Sequence, residues 1–248
     1  VFDMFKIGIG PSSSHTMGPM VAANNFLELM RSSPFNFAGI RCRLHGSLAF
    51  TGVGHATDRA ITLGLEGFTP ENYDEVKASK ALSRIQSSHF LQPDGLGKLK
   101  FNTSEDLIFD YGPRLDEHSN GLILYAIDHQ GDVILEEVYF SIGGGFILTK
   151  SEFSQQSPNE IGTEVPYPFK TAAEMLQMAR SSGKSIAEMK RDNEKALHSN
   201  AEIKDGLSRI WKTMDMCIKR GLENDGQLPG GLNVKRRAKG IYLSLIHI

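Results

Sequence analysis

Two cysteines, one tryptophan and a net charge of only −2 in 248 residues remove several classes of protein at once. Cys42 and Cys217 are too few and too far apart for a disulfide framework or a metal signature. With 27 basic against 29 acidic side chains there is no basic surplus of the kind that grips nucleic acid, so a small molecule is the expected partner. No apolar run reaches the roughly 18 residues that a membrane span needs. The visible start shows no signal-peptide pattern, so the cytoplasm is the expected location. What remains, 40% hydrophobic and 23% charged, is an ordinary globular composition with room for one large or two modest domains.

Against this plain background one stretch stands out, Gly10-Pro-Ser-Ser-Ser-His-Thr-Met-Gly18. Gly10 and Pro11 set a tight turn, and Ser12, Ser13, Ser14 and Thr16 offer four hydroxyls beside the imidazole of His15. A helical pattern comes next, so the stretch reads either as an ordinary serine-rich cap or as an anion pocket at a helix N-terminus. The helix is expected over Met17–Arg31, with Met20, Ala23, Phe26, Leu27 and Met30 on its buried face. Ile40–His45 then alternates as a strand, with Ile40, Cys42 and Leu44 inward.

Thr57–Leu65 reads as a short helix with His55 at its start, and Asn72–Phe90 as a longer one. Lys98–Asp110 holds two short strands, and Gly121–Ile127 with Val133–Phe140 forms a hairpin. Gly143, Gly144 and Gly145 interrupt the chain just past that hairpin, as a bulge or as a close approach to substrate. Residues 1–150 are therefore expected to form an α+β domain with an antiparallel sheet. Residues 151–170, polar and proline-bearing, read as a linker. Residues 171–248 open an all-helical domain, with helices over Thr171–Arg180, Ser185–His198 and Ala201–Gly221. Trp211, Met214 and Ile218 lack partners in such a fragment, whereas Cys217 is read as a buried helix residue.

Four motifs in order then carry a resemblance: the run Val1–Met20, Gly46–Arg59, Ser141-Ile-Gly-Gly-Gly-Phe146, and Leu228-Pro-Gly-Gly-Leu-Asn-Val-Lys-Arg-Arg237. Together they resemble the iron–sulfur-dependent, bacterial-type L-serine dehydratases. The resemblance implies an α+β first domain of the allosteric substrate-binding type and an all-helical catalytic domain. It also implies conversion of L-serine to pyruvate and ammonia, and a homodimer. It implies a 4Fe–4S cluster as Lewis acid, with ligand cysteines expected beyond the end of this chain.

Removing the α-proton of serine calls for a base, and histidine titrates in the right range. His55 is the expected base, with Asp58 one turn on to orient it, and His15 is the runner-up. Ser12, Ser13, Ser14, Thr16, Ser47, Asp58 and Gly144 form the expected substrate-binding set, and no metal ligand is assigned in this chain. His45, His89, His118, His129 and His198 are read as surface or satisfied core residues. Lys235, Arg236 and Arg237 read as a solvated charged run.

Val1 stands where an initiator Met would, and Leu243–Ile248 matches the translation of a sequencing adaptor. Together they point to a truncated gene, inactive as it stands. The rival class is an amino-acid-sensing regulatory domain, which would bind serine without turnover. A pyridoxal-phosphate enzyme is disfavoured, because no Schiff-base lysine stands with a glycine-rich phosphate loop.

Overall fold

Helix α1, Gly18–Ser32, carries a proline in its first turn, where a missing N–H costs nothing, and it buries Met20, Ala23, Phe26, Leu27 and Met30. This computed structural model describes residues 2, 4–155, 164–228 and 233–245. Two compact units emerge, one of Ile7–Gln155 with Asn224–Ile248, the other of Val1–Lys6 with Gln156–Glu223.

In the first unit, α1 lies over a seven-stranded sheet: β1 (Gly39–His45), β2 (Phe90–Leu91), β3 (Leu99–Lys100), β4 (Leu107–Asp110), β5 (Gly121–Ile127), β6 (Val133–Gly143) and β7 (Phe146–Thr149). The alternation in β1 sends Ile40, Cys42 and Leu44 into one core with Phe26, Leu27, Leu122, Leu124 and Ala126. Each large apolar side chain there contributes about 1.5–3 kcal/mol by leaving water. Burial also pushes the Cys42 thiol far up, so it packs as a small hydrophobe.

The α+β class stands as expected, and the sheet is mixed. β1 pairs antiparallel with β5, with Cys42 opposite Leu124, and parallel with β4, with Cys42 opposite Leu107. A parallel partner requires a long crossover, and here the crossover holds α2 (Ser47–Thr51), α3 (Thr57–Leu65) and α4 (Glu75–Ser88). α3 lies tight on α1: a Cβ on Gly64 would sit 2.6 Å from the Met20 carbonyl oxygen. After β7, Lys150–Gln155 forms α5 within the stretch expected as linker.

In the second unit, α6 (Ala172–Ser182), α7 (Ile186–Lys195) and α8 (Asn200–Glu223) match the expected helices. Capping boxes open the first two, Thr171 with Glu174 and Ser185 with Glu188. Ser199 and Glu202 exchange the same pair of bonds at the third. Asn193 accepts from the Tyr167 amide and donates to its carbonyl, tying residues of the expected linker into this unit. Cys217 is exposed, against expectation, because among the residues of α8 only Ile203 and Gly206 are buried and the stretch around Cys217 has no element packed over it among the described residues. Helix α9, Ala238–Leu245, is the last element. Residues 229–232 of the fourth motif, 156–163 of the expected linker and 246–248 of the adaptor-like tail lie outside the described residues.

Candidate functional site

The serine-rich stretch forms neither a simple cap nor an open anion nest. Ser13–Met17 is a π-helical turn that feeds α1 directly. The amides of Thr16 and Met17 bond to the Ser12 carbonyl and the amide of His15 to the Ser12 hydroxyl, so the turn satisfies much of its own donor set. Ser12 Oγ lies 3.5 Å from Ser14 Oγ. Ser13 is exposed, and its hydroxyl makes no hydrogen bond among the described residues.

His15 sits between two hydroxyls. Ser14 Oγ is 2.9 Å from Nδ1, and Ser47 Oγ is 2.9 Å from Nε2. Ser47 opens α2 directly after Gly46, which adopts φ 56° past the end of β1 and where a Cβ would collide with the Ser119 carbonyl, an arrangement only glycine allows. Burial and the neighbouring His55 hold His15 below its ordinary value of 6.5, partly offset by its bond to Ser47. It is therefore neutral at pH 7, with one ring nitrogen donating and the other accepting.

The His55 ring centroid lies 4.8 Å from that of His15, tilted by 35°. Its Nδ1 donates to the Thr51 carbonyl at 2.9 Å, which fixes the tautomer and leaves the Nε2 lone pair with no hydrogen-bond partner among the described residues. The observed partner of the ring is thus a main-chain oxygen, and no hydrogen bond joins it to Asp58 among the described residues.

Thr16 also takes a different place. It is buried, its hydroxyl donates to the His55 carbonyl at 2.8 Å and accepts from the Ser12 amide, so its one proton is already committed. In the glycine triad, all three residues have positive φ and make the turn between β6 and β7. Gly144 is exposed there. Gly145 is the close-approach glycine, since a Cβ on it would collide with the Met17 side chain. The residues that bind the loop to the sheet escape a reading of the sequence alone. Ser141 donates to the Ser14 carbonyl at 2.8 Å and abuts Gly18, and the Thr57 hydroxyl donates to the His15 carbonyl. Each stands inside one of the four motifs, the only signal that could have marked them.

His45 departs from its expectation as well. It is only 8% exposed, and neither ring nitrogen has a hydrogen-bond partner among the described residues. Asp110 Oδ2, 3.9 Å away, is too far to bond, and burial lowers the ring's pKa more than that carboxylate raises it.

No group of three or more His, Cys, Asp or Glu among the described residues could hold a metal ion. Cys42 is sealed in the sheet core and Cys217 lies on an exposed helix of the other unit, so these residues do not fit a 4Fe–4S cluster. No helix among the described residues is long and apolar enough to cross a membrane.

Paired imidazoles beside a hydroxyl-bearing turn, at the C-terminal end of a central strand, form the candidate site of this α+β domain. A family model of the serine dehydratase beta chain matches residues 1–152, and the chain belongs to that family. L-serine dehydratase of Streptomyces coelicolor is 40% identical over 240 residues, which is 96% of this chain and 53% of that protein. L-serine dehydratase TdcG of Escherichia coli is 41% identical over 249 residues, covering 99% and 54%, and the Haemophilus influenzae enzyme is 39% identical with the same coverage. The chain spans about half the length of the curated relatives it matches.

Proposed function

We propose that this chain supplies the imidazole and hydroxyl part of an L-serine ammonia-lyase. The enzyme would dehydrate L-serine to aminoacrylate, which tautomerises to iminopropionate and hydrolyses to pyruvate and ammonia. One observation carries the reading: the Thr51 carbonyl locks the His55 ring with Nε2 as its free base, beside a neutral His15. The likeness to proteins named L-serine dehydratase supports the substrate.

In this reading His55 Nε2 takes the α-proton, since a neutral imidazole is a competent base near pH 7. The exposed Ser13 hydroxyl and whichever of Ser14 and Ser47 accepts from the His15 ring would donate to the carboxylate, the other hydroxyl giving its proton to the ring. His15 holds one proton between Ser14 and Ser47 and orders both. The 4Fe–4S cluster would serve as Lewis acid for the departing hydroxyl, on ligands outside this chain. A cytoplasmic homodimer belongs to the same proposal.

The test is an anaerobic assay of the full-length protein with L-serine, before and after iron and sulfide reconstitution. Iron-dependent pyruvate formation is expected, lost in His55→Ala. Serine binding with no turnover under any reconstitution would overturn the lyase and leave the effector-binding reading.

A further inference from the structure

We propose that Thr16 and Thr57 are positioning residues whose crossed hydrogen bonds set the spacing of the two imidazoles. The proposal rests on the reading of His15 and His55 as the working pair. The crossing is reciprocal. Thr16 follows His15 and holds the carbonyl of His55, while Thr57, two residues after His55, holds the carbonyl of His15. These two short segments lie about forty residues apart in sequence, so nothing covalent fixes their distance.

Burial makes the device strict. Thr57 is fully buried and Thr16 is 3% exposed, so water cannot replace either hydroxyl. Between His55 and Thr57 the backbone is strained: Ala56 has φ 53° and ψ 38°, a left-handed conformation that an alanine adopts only when its surroundings impose it. The two bonds flank that residue on either side and hold it there. Each threonine hydroxyl bonds to a main-chain carbonyl and not to a ring nitrogen, so both act on the imidazoles through the backbone.

The readout is the titration of His15, which faces His55 across the pair. Charged groups on the packed elements are Glu28 and Arg31 on α1, Asp58 and Arg59 on α3, and Glu136 and Glu137 on β6. Among these His15 senses none appreciably, whereas it senses His55.

Imidazole NMR on the chain as it stands gives the test without substrate. In the native chain, slowly exchanging hydroxyl protons of Thr16 and Thr57 are expected, with ring-to-ring contacts between His15 and His55. Thr57→Val and Thr16→Val keep shape and lose the donor; each is expected to weaken the ring contact and move the His15 midpoint up toward the ordinary value. Thr57→Ser and Thr16→Ser are expected to restore both readouts. In the full-length protein, Thr57→Val is expected to lower kcat about tenfold with KM nearly unchanged, since misplacement harms the transition state more than ground-state binding. Rapidly exchanging hydroxyl protons in the native chain overturn the proposal even where the valine variants fail to fold. Folded valine variants with an unchanged ring contact and midpoint overturn it as well. Neither result touches the lyase reading, which falls only if reconstituted full-length protein forms no pyruvate.

Discussion

The two units of this chain hold their helices by different means. In the α+β unit, α1 is fixed by what it covers: Phe26, Leu27 and Met30 close over Ile40, Cys42 and Leu44, and the helix has no side-chain cap. In the helical unit the order is reversed, since three capping boxes define the helix starts while Met189 and Ile203 are nearly all the apolar side chains that become buried. Trp211 stays 64% exposed, with Met214 and Ile218 beside it on the same face of α8. Secondary structure can be written locally, residue by residue, whereas stability comes from burial.

The sharpest way to break that comparison is Phe26→Ala. A fully buried ring lost from the first unit is expected to cost about 3–5 kcal/mol, read in urea by the loss of sheet signal before helix signal. Equal loss of both signals would mean that the units are not separable in stability.

Acid should separate the units next. His15 and His45 are both held below 6.5 by burial, so the fold favours their neutral forms. Their contribution is complete above about pH 6.5, the unfolded value, and declines as pH falls toward their lowered folded values. The capping glutamates Glu174, Glu188 and Glu202 are lowered by the amides they accept from, so they fade only below about 4.5, as pH falls through their folded values. Melting temperature against pH should therefore fall first in the α+β unit. His45→Phe, which removes two orphaned ring nitrogens, should flatten that slope without loss of stability at neutral pH. A slope unchanged in this variant would clear His45 of the effect.

A smaller effect is expected from Ser185→Ala, about 1 kcal/mol lost from the helical unit by removal of a cap, seen as reduced helical circular dichroism with the sheet signal intact. Smallest is Trp211→Ala, expected within about 0.5 kcal/mol because an exposed side chain has little burial to lose. Iodide should quench the native Trp211 emission freely; strong protection would show that the face is covered.

How much of this is legible in the residues depends on the range of the forces. The alternation of β1, the apolar stripe of α1 and the β5–β6 hairpin are all local patterns, and they read straight from the chain. The parallel partner β4 does not, because pairing across a crossover leaves no mark in the periodicity of either strand. The same limit applies to the site. The π-helical turn places Ser14 beside His15 as adjacent residues, yet the Thr51 carbonyl on His55, the hydroxyl of Thr57 and the orphaned ring of His45 depend on how the backbone folds back on itself. Thr16 shows the reason: the sequence marks which side chains are polar, and only the fold shows that its hydroxyl is already committed to the His55 carbonyl.

The bond from Ser141 to the Ser14 carbonyl joins positions 127 residues apart. Closing so long a loop costs entropy that the contact and its neighbours must offset. The serine turn is therefore seated from two sides, by Thr57 from the helical crossover and by Ser141 from β6, so the register of β6 against β5 reaches into the site.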